Sequence, residues 1–116
     1  MNRISTSIEQ SKHLLELGLS PDTADMMWTY DFVSGEVTGP PNIICDQLKP
    51  EPKDIISWSL TALLEVIPKE PIWNLQEEKS MWYEDGDDAQ YWTGICYSYI
   101  DAAYKLVCWL LENEKL

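Results

Sequence analysis

His13 is the single histidine of this chain, and Glu9 and Glu16, four residues before and three after, share its side of a helix. An imidazole between two carboxylates can act as an oriented general base or donate one metal ligand. A tetrahedral site needs more ligands, and neither a second histidine nor a nearby cysteine supplies them, so an exposed histidine paired with its acidic neighbours is the simpler expectation. Cys45, Cys96 and Cys108 could supply thiol nucleophiles, but their spacing matches neither a CxxC pair nor a disulfide framework, which predicts reduced thiols. Cys96 falls in a strand pattern and Cys108 inside an apolar helix, where a thiol behaves as a small core residue. Cys45 sits in a proline-bounded loop and is the accessible one, with His13 the available base if it acts as a nucleophile.

Carboxylates are too common here to point to acid–base catalysis by themselves. With 20 Asp and Glu among 116 residues, pairs such as Glu9 with Glu16 or Asp22 with Asp25 arise by chance. The densest acidic stretch is Glu77, Glu78, Glu84, Asp85, Asp87 and Asp88. It lacks the alternating oxygen ligands, the central glycine and the terminal glutamate of a calcium loop, so it reads as a solvated hairpin turn or as a surface for a basic partner. Trp82, Tyr83, Tyr91 and Trp92 lie beside it, in strands that helices cannot cover on both faces, and such aromatics anchor interfaces. Glu77, Glu78, Trp82, Tyr83, Glu84, Asp85, Asp87, Asp88, Tyr91 and Trp92 therefore form the candidate interaction surface. Phosphate-binding loops, nucleophile elbows and zincin or kinase motifs do not occur, and five glycines leave little material for them. No catalytic, cofactor or metal residues are predicted.

The elements that would position these residues are legible in the spacing. Thr6-Ser7-Ile8-Glu9 reads as a capping box with Thr6 as the cap, and Gly18 closes the helix. Ile8, Ser11, Leu14, Leu15 and Leu17 form its apolar arc, opposite Glu9, Lys12, His13 and Glu16. Ser20-Pro21-Asp22 suits a short extra turn, and Met26 to Phe32 alternates at period two as a half-buried strand. Residues 34 to 56, with Gly35, Gly39, Pro40, Pro41, Pro50 and Pro52, read as a long loop with a short extended piece at Ile43 to Cys45. Ser57 is positioned to cap a helix from Trp58 to Ile67 that Pro68 stops. Ile72 to Glu77, Met81 to Glu84 and Gln90 to Tyr97 form an antiparallel meander. Ser98 caps a last helix running to about Asn113, in which only Asp101, Lys105 and Glu112 make a charged stripe. That helix must be covered on most sides, by the sheet and by other helices or a second copy of the chain. The expectation is one α+β domain over residues 1 to 116, an antiparallel sheet of three to five strands with three helices, the C-terminal one largely buried.

A hydrophobic content of 45%, including 6 Trp and 6 Tyr, exceeds what a disordered chain carries, so a folded core is expected. No apolar run reaches the ~18 residues of a membrane span, and the N-terminus lacks the apolar stretch of a signal peptide, which points to the cytoplasm. A formal charge of −12 opposes direct binding to nucleic acid or anionic membranes, while favouring a basic protein surface or simply solubility.

Three stretches carry a pattern: Ile4 to Ser11 running into Leu14-Leu15-Glu16-Leu17-Gly18-Leu19, then Trp58-Ser59-Leu60 with Ala62-Leu63-Leu64-Glu65, and Asp101-Ala102-Ala103-Tyr104 with Cys108 to Asn113. Over about half of its length the chain thereby resembles short acidic proteins of Bacteroidetes genomes and their mobile elements and phages. That resemblance implies no activity, cofactor or catalytic residue, and it tilts the expectation from metabolism toward binding. The function expected is a non-enzymatic protein–protein interaction module without cofactors, inclined to self-associate. Its sharper form is an acidic inhibitor of a nucleic-acid enzyme. The alternatives are a small hydrolase or transferase using Cys45 or a carboxylate pair, and a structural accessory subunit.

Overall fold

The computed structural model describes residues 4–28, 41–44, 55–68, 71–73, 79–84, 90–96 and 98–116. The expectations at Cys45, Glu77, Glu78, Asp85, Asp87 and Asp88, and most of those for 34 to 56, lie outside these residues.

The first helix, α1, spans Ile8–Glu16. Its cap is Ser7 rather than Thr6: Ser7 Oγ accepts from the Gln10 amide and Gln10 Oε1 accepts from the Ser7 amide, so the capping box is shifted by one residue. Thr6 is withdrawn from capping by a tertiary partner. Its amide donates to the Trp58 carbonyl at 2.8 Å, and its hydroxyl accepts from the Trp58 amide at 3.1 Å. Ser11 Oγ donates to the Ser7 carbonyl and lies 2.8 Å from Thr6 Oγ1, so the Thr6 hydroxyl donates to Ser11. Only Ser11 and Leu14 of α1 are buried, and Leu15, expected on the apolar arc, is exposed. Gly18 ends the helix at φ +102°, with its own amide on the Leu15 carbonyl and the Leu19 amide on the Leu14 carbonyl. This pairing brings buried Leu19 back onto the core.

A single 3-10 turn, Pro21–Thr23, leads into β1, Met26–Trp28. β1 is central between β2, Asn42–Ile43, and β3, Ile55–Ser57, antiparallel to both. Two expectations are corrected here. Met26 and Met27 are both buried, so this part of the strand is not half-buried at period two. Residues 55 to 57, read as loop end and helix cap, are a strand, and Ser57 pairs with Met26 in it. The following helix, α2, is therefore shorter, Leu60–Val66, and is capped by Ser59, whose Oγ accepts from the Ala62 amide. Asp25 holds this junction by accepting from the Ser59 amide at 2.8 Å and from its hydroxyl. Trp58 lies between strand and helix, fully buried, with its indole N–H on Thr23 Oγ1.

The second sheet is the expected meander: β4, Ile72–Trp73; β5, Met81–Glu84; β6, Gln90–Trp92, in the order β4-β5-β6. Two three-stranded antiparallel sheets thus replace the single sheet expected, because no described strand of one pairs with the other. After Trp92 the register slips. Thr93 pairs with Met81 but Cys96 pairs with Lys79, so Gly94 and Ile95 together oppose Ser80. Gly94 takes φ +77°, the conformation a bulge of this kind requires, and Ile95 is pushed outward.

The last helix, α3, spans Tyr99–Glu112 and packs on α2 and on the inner face of β5 and β6. Ser98 Oγ accepts from the Asp101 amide, as expected. Asp101, expected on the charged stripe, is buried, accepting from Ser98 Oγ and, across the molecule, from Gln10 Nε2 at 2.8 Å. Ile100, Ala102, Ala103, Leu106, Val107, Cys108 and Leu110 are buried with it, and join Leu14, Trp58, Leu63, Met81 and Tyr83 in the core. Three helices and two small antiparallel sheets among the described residues make this an α+β fold, with the C-terminal helix largely buried.

Candidate functional site

The second sheet has two chemically different faces. Alternation along β5 sends Met81 and Tyr83 inward and Trp82 and Glu84 outward. Tyr83 is 3% exposed and meets Trp109 of α3 edge-on at 6.3 Å. Its position in the candidate surface is thereby corrected, since it belongs to the core. Tyr91, opposite Tyr83, stacks on Trp109 at 5.1 Å and 18° and is half-buried. It too faces α3 rather than the outside.

The outer face carries a cross-strand row, Ile72 opposite Trp82 opposite Trp92. Ile72 is 64% exposed, Trp92 53% and Ile95 of the bulge 59%, with Trp82 half-buried between its neighbours. Glu84 closes the row, its Oε1 accepting from the Trp82 indole at 3.1 Å and from Gln90 Nε2 at 3.4 Å. A carboxylate thus fixes the orientation of one indole on a wet apolar face. Of the expected surface, Trp82, Glu84 and Trp92 come together here; the acidic residues of the two connections lie outside the described residues.

A cleft of about 320 Å³ opens beside β6, lined by His13 of α1, Tyr91 and Thr93, and Tyr104, Lys105, Cys108, Trp109 and Glu112 of α3. Among the described side chains none of β4 or β5 lines it. His13 Nδ1 lies 3.9 Å from Glu16, as expected of a histidine with an acidic neighbour, but its ring meets Tyr104 at 6.3 Å and the residue is half-buried rather than exposed. Glu9 makes no described contact with it, and no group of three metal-ligating side chains occurs among the described residues. Burial pushes the Cys108 thiol up to about 11, outweighing the opposite pull of the neighbouring Tyr104 hydroxyl. Burial, with Cys108 and Glu112 nearby, also raises the hydroxyl of Tyr104, and burial does the same for Tyr91. The Cys108 thiol and the Tyr91 and Tyr104 hydroxyls therefore stay neutral in the cleft at neutral pH, beside charged Lys105 and Glu112, and no activated thiolate is present. Sequence reasoning did not find it, because its wall is built from α1, α3 and β6, and the one available signal was the mixed polar stripe of Tyr104, Lys105, Cys108 and Glu112 along one helix face.

The raised thiol makes stability pH-dependent with a definite sign. The unfolded chain ionises Cys108 near its ordinary value of 9.0, before the folded chain does at about 11. Stability is fully present below pH 9 and falls as pH rises through this window, by on the order of 1–2 kcal/mol after allowing for the openness of the cleft. Urea unfolding at pH 8 and at pH 10.5 is expected to lose more stability in the wild type than in Cys108→Ala. Equal losses would show that the folded thiol ionises normally.

Among the described residues no helix is long and apolar enough to cross a membrane. Comparison with known protein families, curated proteins and solved structures finds no match to this chain.

Proposed function

We propose that this chain is a non-enzymatic protein–protein interaction module and that its contact surface is the outer face of the second sheet. The observation that carries this reading is the row Ile72, Trp82 and Trp92, extended by Ile95, left in water while a complete core is already built on the opposite face. Tryptophan in such a position offers a large contact area at small entropic cost, which is why it recurs at interface anchors. The net charge of −12 supports a basic partner, and with it the sharper form of the reading: an inhibitor occupying the cationic groove of a nucleic-acid enzyme, from a phage or mobile element. The elevated Cys108 thiol speaks against that residue as a nucleophile at neutral pH.

The test is affinity capture by the tagged wild type and by Trp92→Ala at low and moderate salt, with captured proteins identified by mass spectrometry. Because Trp92 lies outside the core, Trp92→Ala is expected to unfold within about 1 kcal/mol of the wild type. Its partner recovery is expected to fall about tenfold, and wild-type recovery to decline as salt screens the charge. Identical capture by the two proteins would remove the sheet face as the contact surface. Capture that ignores salt would remove the inhibitor form.

A further inference from the structure

Among the described residues β6 is an edge strand of its sheet. Thr93 donates to the Met81 carbonyl and Thr93 Oγ1 accepts from the Met81 amide, so these residues form a closely paired position of the ladder. Antiparallel alternation then makes Tyr91 and Tyr83 the next such pair and turns the main-chain N–H and C=O of Gln90 and Trp92 away from β5. Among the described residues no strand pairs with that side. An unpaired edge is a template for one more strand.

Three independent features converge on it. The exposed row Ile72, Trp82, Trp92 runs across the sheet and stops at this edge, so another strand would lengthen it. The cleft lies beside the same strand on its inner side, where Tyr91 and Thr93 form one wall and α1 and α3 the other. A strand added to the edge would send alternate side chains into that cleft and the others alongside Trp92. The third feature is charge. A second copy of a chain of charge −12 would be repelled, whereas a basic segment would be attracted.

We propose that β6 receives an extended basic segment of a partner protein by strand addition, with apolar residues continuing the Trp92 row and Lys or Arg alternating into the cleft. This rests on the interaction-module reading and specifies its mode. Inside the cleft the Glu112 carboxylate, the tyrosine hydroxyls and Thr93 can bond a long cationic side chain. Lys105 lines the cleft too, so preference for a basic strand comes from the net charge as much as from Glu112.

The experiment pans the full-length chain against a synthetic library of capped, fully randomised seven-residue peptides at low salt. The best peptide is then remade with a single N-methyl group at each amide in turn. Enrichment of sequences in which Lys or Arg alternates with aromatic or β-branched residues is expected. N-methylation is expected to weaken binding about tenfold at every second amide and hardly at those between, because only alternate N–H groups face the edge. Enrichment with no basic alternation, no enrichment at all, or an N-methyl profile without the two-residue period would overturn strand addition. If binding lacks that period yet falls in Trp92→Ala, the sheet face remains the contact surface and only its mode is wrong. If binding is also indifferent to Trp92→Ala, the interaction reading for this face fails with it.

Discussion

Replacing Trp58 by alanine is expected to cost about 3–5 kcal/mol, the range for emptying a buried aromatic site. A domain of this size holds only about 5–15 kcal/mol in total, so the variant should be partly unfolded at modest temperature. The residue is fully buried, and its main chain and side chain tie three parts of the molecule together. The amide and carbonyl are bonded to Thr6 ahead of α1, the indole N–H to Thr23 in the 3-10 turn, and the ring fills the core beneath α2. Trp58→Phe retains most of the apolar volume but loses the bond to Thr23, and is expected to cost about 1–2 kcal/mol. Urea unfolding followed by circular dichroism measures both. Similar losses for the two variants would mean that the hydrogen bond, not the packing, dominates.

The second large effect is expected at Leu106, fully buried at the centre of α3. Leu106→Ala keeps helix propensity high and removes methyl groups from a fully buried position of a helix that packs on α2 and the second sheet. The expected loss is about 2–5 kcal/mol, or a fall in Tm of roughly 10 °C or more. Lys105→Ala, one residue earlier and exposed, should stay within about 0.5 kcal/mol of the wild type. A Leu106 variant as stable as the Lys105 variant would contradict the packing of α3 described here.

The surviving expectations are those that depend on neighbours in the chain. Ser98 caps α3 because its oxygen and the Asp101 amide are three residues apart, whatever surrounds them. Gly18 ends α1 because a positive φ is needed there and glycine supplies it without strain. At the end of α3 the same closure uses Glu114 at φ +55°, where no glycine announces it; the Lys115 amide still reaches the Leu110 carbonyl, and its ammonium lies 5.9 Å from the Trp109 ring centre. The meander was visible because Trp82 and Tyr83, and Tyr91 and Trp92, alternate about recognisable turns.

The misjudged positions were those settled by partners far away in sequence. Thr6 and Ser7 are equally good caps by type, and only the hydrogen bonds from Trp58 remove Thr6 from the choice. Residues 55 to 57 carry too few side chains to declare a strand; pairing with β1, nearly thirty positions earlier, makes them one. Asp101 reads only as part of the charged stripe of the last helix, and its burial depends on Gln10 Nε2, 91 residues away, donating to its carboxylate. The sequence by itself determined the fold class, both ends of α3, the glycine closure of α1 and the aromatic strands, because propensity, capping and periodicity act over a few residues. The tertiary structure alone decided that the strands form two sheets, that Tyr83 and Tyr91 turn inward while Ile72, Trp82 and Trp92 stay outside, and that a cleft opens at the β6 edge. These follow from which surfaces meet, and burial is settled by the whole set of contacts rather than by any local run of residues.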